Sequence, residues 1–129
     1  MDTKNPLIIN KPNLIAVEGK DEIQCFGAIA KHNNLENIQF YDLEGKDGLP
    51  KEITVLRMAT NFQNVRSLGI ILDADDYPDR SFQSACTALK ENYLSVPRDP
   101  FVMSGAEPQV AVMILPWDRS TWDAGRCMP

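Results

Sequence analysis

The chain has 129 residues, 43 % of them hydrophobic and 24 % charged, with a formal net charge of −5. That length supports one domain with its own core, and the acidic balance speaks against binding nucleic acid through a broadly basic surface. The chain has no apolar stretch near the roughly 20 residues of a membrane-crossing helix, no basic-then-apolar leader, and three scattered cysteines that fit a reducing, cytoplasmic setting better than a disulfide framework.

Residues 1–12 contain two prolines and read as a lead-in. Asn13-Leu14-Ile15-Ala16-Val17 is a short apolar run with the character of a buried strand, and it stops at Glu18-Gly19-Lys20-Asp21. Asp21 is a candidate helix cap. Ile23, Phe26, Ile29 and Ala30 follow at helical spacing up to His32-Asn33-Asn34. Residues 38–43 are β-rich and predict a second strand. Glu44 to Gly48 form a turn by composition, and Pro50 opens a helix that runs to about Asn61.

A third strand is predicted over 67–73, where Leu68-Gly69-Ile70-Ile71-Leu72 ends in Asp73-Ala74-Asp75-Asp76. Pro78-Asp79 starts a helix whose apolar face carries Phe82, Ala85, Cys86, Leu89 and Tyr93. Cys25 and Cys86 both fall in helical apolar patterns and are expected to be buried as small hydrophobes. Residues 95–109 read as a loop, with a short strand at 100–103 as an option. The fourth strand, Val110 to Leu115, leads into Pro116-Trp117-Asp118. Strands alternating with helices predict an α/β fold: a Rossmann-like three-layer arrangement with about four mainly parallel strands flanked by helices. The last strand could run either way, because a long loop precedes it.

Two of these strand ends deliver carboxylates. Asp73 and Asp75 lie two apart, so extended backbone would point both the same way, and a divalent cation would relieve their repulsion. Glu18 would arrive at the same sheet edge from another strand. Acidic oxygens without neighbouring Cys or His suit a hard cation, Mg²⁺ or Mn²⁺. The bland alternative is a solvated turn with a helix cap. Gly19 and Lys20 are candidate phosphate contacts at a helix start, against the plain reading of a small residue and a surface lysine. Asp76 reads more as a turn residue than a ligand. Asp118 is a weaker acidic candidate at the same edge. His32, the only histidine, reads as a surface residue at a helix end.

Val17-Glu18-Gly19-Lys20-Asp21 and Leu72-Asp73-Ala74-Asp75 resemble the two signatures of the Toprim domain of topoisomerases, bacterial primases and several nucleases. The resemblance covers about residues 13–118. It is nearest to the small stand-alone bacterial Toprim-like proteins of the DUF3226 group, related to nucleases of the overcoming-lysogenization-defect type; Gly45 to Pro50 resembles that group too. It implies a Toprim-like fold, Glu18 as general acid/base and metal ligand, and Asp73 and Asp75 as metal ligands. The activity implied is Mg²⁺-dependent phosphodiester cleavage of DNA or RNA in a defence or processing system. Tyr77-Pro78 depart from the family, many members of which place a glycine there. No tyrosine-bearing cleavage domain or template-binding module accompanies the domain, so a self-contained topoisomerase or primase is not expected. Residues 119–129 form a short tail where relatives usually continue, so the chain is expected to be a shortened or truncated member.

A second reading is a non-catalytic module that binds metal, nucleotide or a partner, such as an ATPase. A receiver-like phosphoacceptor is a third, weakened because Arg119 rather than a lysine follows the last strand. Trp117 and Trp122 would cover a core edge or form an apolar patch for a partner.

Overall fold

A computed structural model describes residues 7–45, 48–73 and 78–115. Four strands, β1 (Asn13–Val17), β2 (Ile38–Asp42), β3 (Ser67–Asp73) and β4 (Gln109–Leu115), form one sheet in the order β2-β1-β3-β4. Every pairing is parallel, β4 included: Leu14 lies beside Gln39 and Leu68, and Ile70 beside Val112. Helices α1 (Lys20–His32), α2 (Leu49–Arg57) and α3 (Pro78–Glu91) make the crossovers that parallel neighbours require.

Strand alternation divides the side chains into two sets. Leu14 and Ala16, Leu68, Ile70 and Leu72, and Val110, Val112 and Ile114 share one face and pack with Leu49, Ile53 and Leu56 of α2 and Phe82, Ala85, Ala88 and Leu89 of α3. Ile9, only 2 % exposed, joins this core; its N–H bonds Thr60 O at 3.0 Å, so part of the lead-in is built into the fold. On the opposite face α1 packs against β1 and β2, and a cleft separates it from β3 and β4. The layers are therefore α1, the sheet, and α2 with α3.

The first helix departs from the sequence reading. Its N-cap is Gly19, with Asp21 in the first turn and no side-chain cap bond. Ala30 is its only buried residue; Cys25 is exposed and Ile29 is 49 % exposed. A helix lying over half a sheet has only half a sheet to bury against. Helix α2 stops at Arg57, and a short 3-10 turn, Phe62–Asn64, follows instead of further α-helix. No strand forms at 100–103; the nearest pairing is an isolated antiparallel bridge from Ser104 to Val110.

Helices α1 and α3 stop in the same way. In α1 the Leu35 N–H reaches Ala30 O and the Asn34 N–H reaches Lys31 O; in α3 Leu94 reaches Leu89 O and Tyr93 reaches Lys90 O. This is the Schellman arrangement, which needs one left-handed residue after the cap. Asn34 (φ 58°) and Tyr93 (φ 61°) supply it. Tyr93 consequently leaves the apolar face of α3, is 87 % exposed, and lies 5.9 Å from the Arg57 guanidinium across its ring.

Candidate functional site

The chain leaves β1 toward β2 on one side, then returns across β1 to β3 on the other. The boundary between β1 and β3 is thus the point where connections diverge, and in open parallel sheets ligands bind beyond the strand C-termini there. Glu18 follows the last residue of β1 and Asp73 is the last residue of β3. The two meet: a Glu18 carboxylate oxygen accepts the backbone N–H of Asp73 at 2.5 Å. A charge-assisted bond of this kind holds the carboxylate against the tip of β3.

Neighbouring backbone fixes both tips. Beyond β2, Leu43 N–H donates to Val17 O at 2.7 Å and Gly45 N–H to Glu18 O at 2.8 Å. The Asp42 carboxylate accepts Glu44 N–H at 2.7 Å and shapes the turn between them. On the other side the Ser81 hydroxyl, in the first turns of α3 and only 5 % exposed, reaches Asp73 O at 3.2 Å. The peptide of Asp73 is therefore engaged at its N–H by β1's acid and at its carbonyl by α3.

Gly19 and Lys20 lie beside this junction at the start of α1. Gly19 is fully extended (φ −158°), a conformation open to any residue, and a Cβ there would come 3.1 Å from the Glu22 carboxylate. Close approach to that flexible side chain, not backbone conformation, is what its lack of a side chain permits. Lys20 is exposed at the first helical position.

A cleft of about 520 Å³ opens next to Asp73. Asp21 and Glu22 of α1 add carboxylates to its rim, while Phe26, Ile71 and Leu115 give it an apolar floor. The spacing of apolar residues in α1 does not reveal this cleft, because nothing in it says that the helix stops short of β3.

Among the described residues no group of three or more His, Cys, Asp or Glu is gathered so as to hold a metal ion. Asp75 and Asp76 lie outside the described residues, as do Tyr77, Lys46, Asp47, Trp117, Asp118, Arg119, Trp122 and Cys127. Of the acidic trio read from the sequence, Glu18 and Asp73 are brought together. His32 ends α1 and is exposed, away from the strand tips. No helix among the described residues is long and apolar enough to cross a membrane.

The family model for a protein of unknown function, DUF3226, matches residues 12–123, most of the chain. Neither the curated proteins nor the solved structures searched gave a match.

Proposed function

The chain belongs to the DUF3226 family, and we propose that it is a Mg²⁺-dependent, Toprim-like phosphodiester-cleaving protein acting on DNA or RNA. The observation that carries the reading is the contact of the Glu18 carboxylate with the Asp73 backbone at the boundary between β1 and β3. Adjacent parallel strands lie about 4.8 Å apart, so carboxylates at the two tips are within reach of one cation. Their donor atoms are all oxygens, which suits Mg²⁺ and admits Mn²⁺. Glu18, Asp73 and Asp75 would hold the ion, which would supply Lewis-acid polarisation of a phosphate oxygen.

The chain's own residues have distinct parts in this reading. Glu18 moves a proton as general acid or base, because its carboxylate is already positioned by the Asp73 peptide. Gly19 and Lys20 receive a phosphate at the start of α1, where unpaired N–H groups and the lysine ammonium both favour an anion. Asp21 and Glu22 repel a phosphate backbone along the cleft rim, so the approach to the site depends on the cation and on Lys20.

The test is incubation of plasmid and single-stranded DNA and RNA with Mg²⁺ or Mn²⁺, beside Glu18→Gln and Asp73→Asn. The expected result is metal-dependent cleavage lost in both variants. Cleavage that survives both substitutions refutes the assignment.

A second reading is favoured by the net charge of −5 and the acidic rim. In it the same site binds a cation or nucleotide without cleaving, and the chain works as a module for a partner such as an ATPase. Metal binding by calorimetry together with silent cleavage assays would select it. The thiols Cys25 and Cys86 are free, which suits a reducing, cytoplasmic location for either reading.

A further inference from the structure

The opposite end of the sheet carries chemistry of its own. Val65 just precedes β3 and Glu107 just precedes β4, so this end lies a strand's length, about 23 Å, from the acidic tips. Two hollows adjoin there and share Gln63, Val65 and Glu107. The first, about 420 Å³, is lined also by Arg57 at the end of α2 and by Asn92 and Tyr93 just after α3. The second, about 750 Å³, is lined also by Arg66. Both volumes fall within the roughly 300–1,000 Å³ of small-molecule sites.

Three features here are not accounted for by packing. Asn92 is only 5 % exposed. Its Nδ2 donates to Ala88 O at 2.9 Å, while its Oδ1 receives no donor from a described residue. A buried amide oxygen without a donor is costly, and a ligand N–H would satisfy it. Tyr93 holds a left-handed backbone (φ 61°) yet leaves its ring 87 % exposed, so strain is kept there without burying the ring. Arg57, 5.9 Å from that ring, and Arg66 form no ion pair with a described residue, in a chain of net charge −5.

We propose that the paired hollows bind an adenine nucleotide, either free or as one unit of a single strand. Adenine matches the first hollow. Its exocyclic amine supplies the hydrogen that Asn92 Oδ1 lacks, and its N7 accepts the second hydrogen of Nδ2. This is the pairing by which asparagine reads adenine. The flat base stacks on the Tyr93 ring beside the Arg57 guanidinium. Glu107, on the wall common to both hollows, accepts the ribose hydroxyls, as acidic residues do in dinucleotide sites. The phosphate then falls in the second hollow, where Arg66 meets its charge.

The test is equilibrium dialysis of the full chain against labelled 5′-AMP in EDTA, which removes cation-dependent binding at the acidic tips from the measurement. AMP is expected to bind. Ribose 5-phosphate, which has no base, and UMP, which has neither the amine nor N7, should bind at least about ten-fold more weakly. Tyr93→Gly and Arg66→Ala should each weaken AMP about ten-fold. Both side chains are exposed, so these variants keep the test decisive if Asn92→Leu, which should abolish binding, fails to fold. A short oligoadenylate distinguishes the two sources: binding tighter than that of AMP assigns a strand, and weaker binding a free nucleotide.

No bound AMP at millimolar concentration overturns the proposal. So does equal affinity for ribose 5-phosphate or UMP. Binding that ignores both Tyr93→Gly and Arg66→Ala overturns it too, and places the nucleotide elsewhere on the chain. Cleavage is read in none of these arms, so failure of this inference and failure of the nuclease assignment are separate results.

Discussion

The two faces of the sheet are built to different standards. Toward α2 and α3, Leu49, Ile53, Leu56, Ala85, Ala88 and Leu89 are all fully enclosed against the strands. Toward α1 a thirteen-residue helix buries one alanine. Apolar burial stabilises by about 25 cal/mol per Å², so most of the folding free energy lies on the closed face. Of the acidic strand tips, Asp73 follows Ile71 onto the α1 side and lines the cleft there, and Glu18 meets it from the end of β1. They stand at the edge where the closed core ends and the open cleft begins. A rigid half thus positions the carboxylates, while a loosely covered half leaves room beside them.

This contrast can be broken or sharpened by substitution. The largest effect is expected at Ile70, which is fully buried on the closed face: Ile70→Ala should cost about 2–5 kcal/mol in urea unfolding. A loss below about 1 kcal/mol would mean that the closed face is not the main core. At the boundary, Glu18→Ala removes the acceptor for the Asp73 N–H and should cost about 1–3 kcal/mol. Glu18→Gln retains an oxygen acceptor and should cost less, so equal losses would argue that the bond adds nothing to stability.

Tyr41 gives a pH-dependent test of the closed face. Its hydroxyl donates to the Glu52 carboxylate of α2, and its pKa is raised above the usual 10.0 first by burial and then by that carboxylate. The unfolded chain therefore loses this proton at lower pH than the folded one. The Tyr41 contribution is fully present below pH 10 and declines as pH rises above it. Tyr41→Phe should flatten this alkaline decline in urea midpoints; an unchanged slope would remove Tyr41 as its source.

On the open face Met113→Ala should cost only about 1 kcal/mol, because Met113 is half-buried. A loss as large as that of Ile70→Ala would show the open face to be as tightly packed as the closed one. Thiol labelling offers the finest comparison. Cys25 on α1 is exposed, whereas Cys86 on α3 is partly covered and its pKa is raised by burial. Cys25→Ser should remove a fast phase of labelling and Cys86→Ser a slow one; the reverse order would overturn the assignment of open and closed sides.

Three of the four strands were legible as short apolar runs that stop abruptly, as in Leu68 to Leu72 before Asp73, and Ile38 to Asp42 as a stretch rich in β-favouring residues. Parallel pairing followed from the alternation with helices. What the linear pattern lacks is the breadth of the surface beneath each helix. Ile23, Phe26 and Ile29 repeat like a buried face, but α1 meets only β1 and β2, so Cys25 and Ile29 remain exposed. Tyr93 continues the period of α3, yet the chain has turned left-handed by then, and no glycine marks the place. The meeting of Glu18 with Asp73 was readable as a shared sheet edge. That the carboxylate takes the Asp73 N–H depends on which strands are neighbours, and the order β2-β1-β3-β4 is not written in any local run.

The two matching helix stops leave one further consequence. Asparagine tolerates the left-handed turn that ends α1; tyrosine, which ends α3, does not do so readily, and its ring is almost wholly in solvent. The chain therefore keeps a reserve of thermal tolerance at a position remote from the acidic tips. Tyr93→Gly should raise the melting temperature, gaining about 1 kcal/mol from relieved backbone strain less what is lost with the Arg57 contact. A protein engineer would find in that one residue a place to strengthen the scaffold without touching the acidic tips.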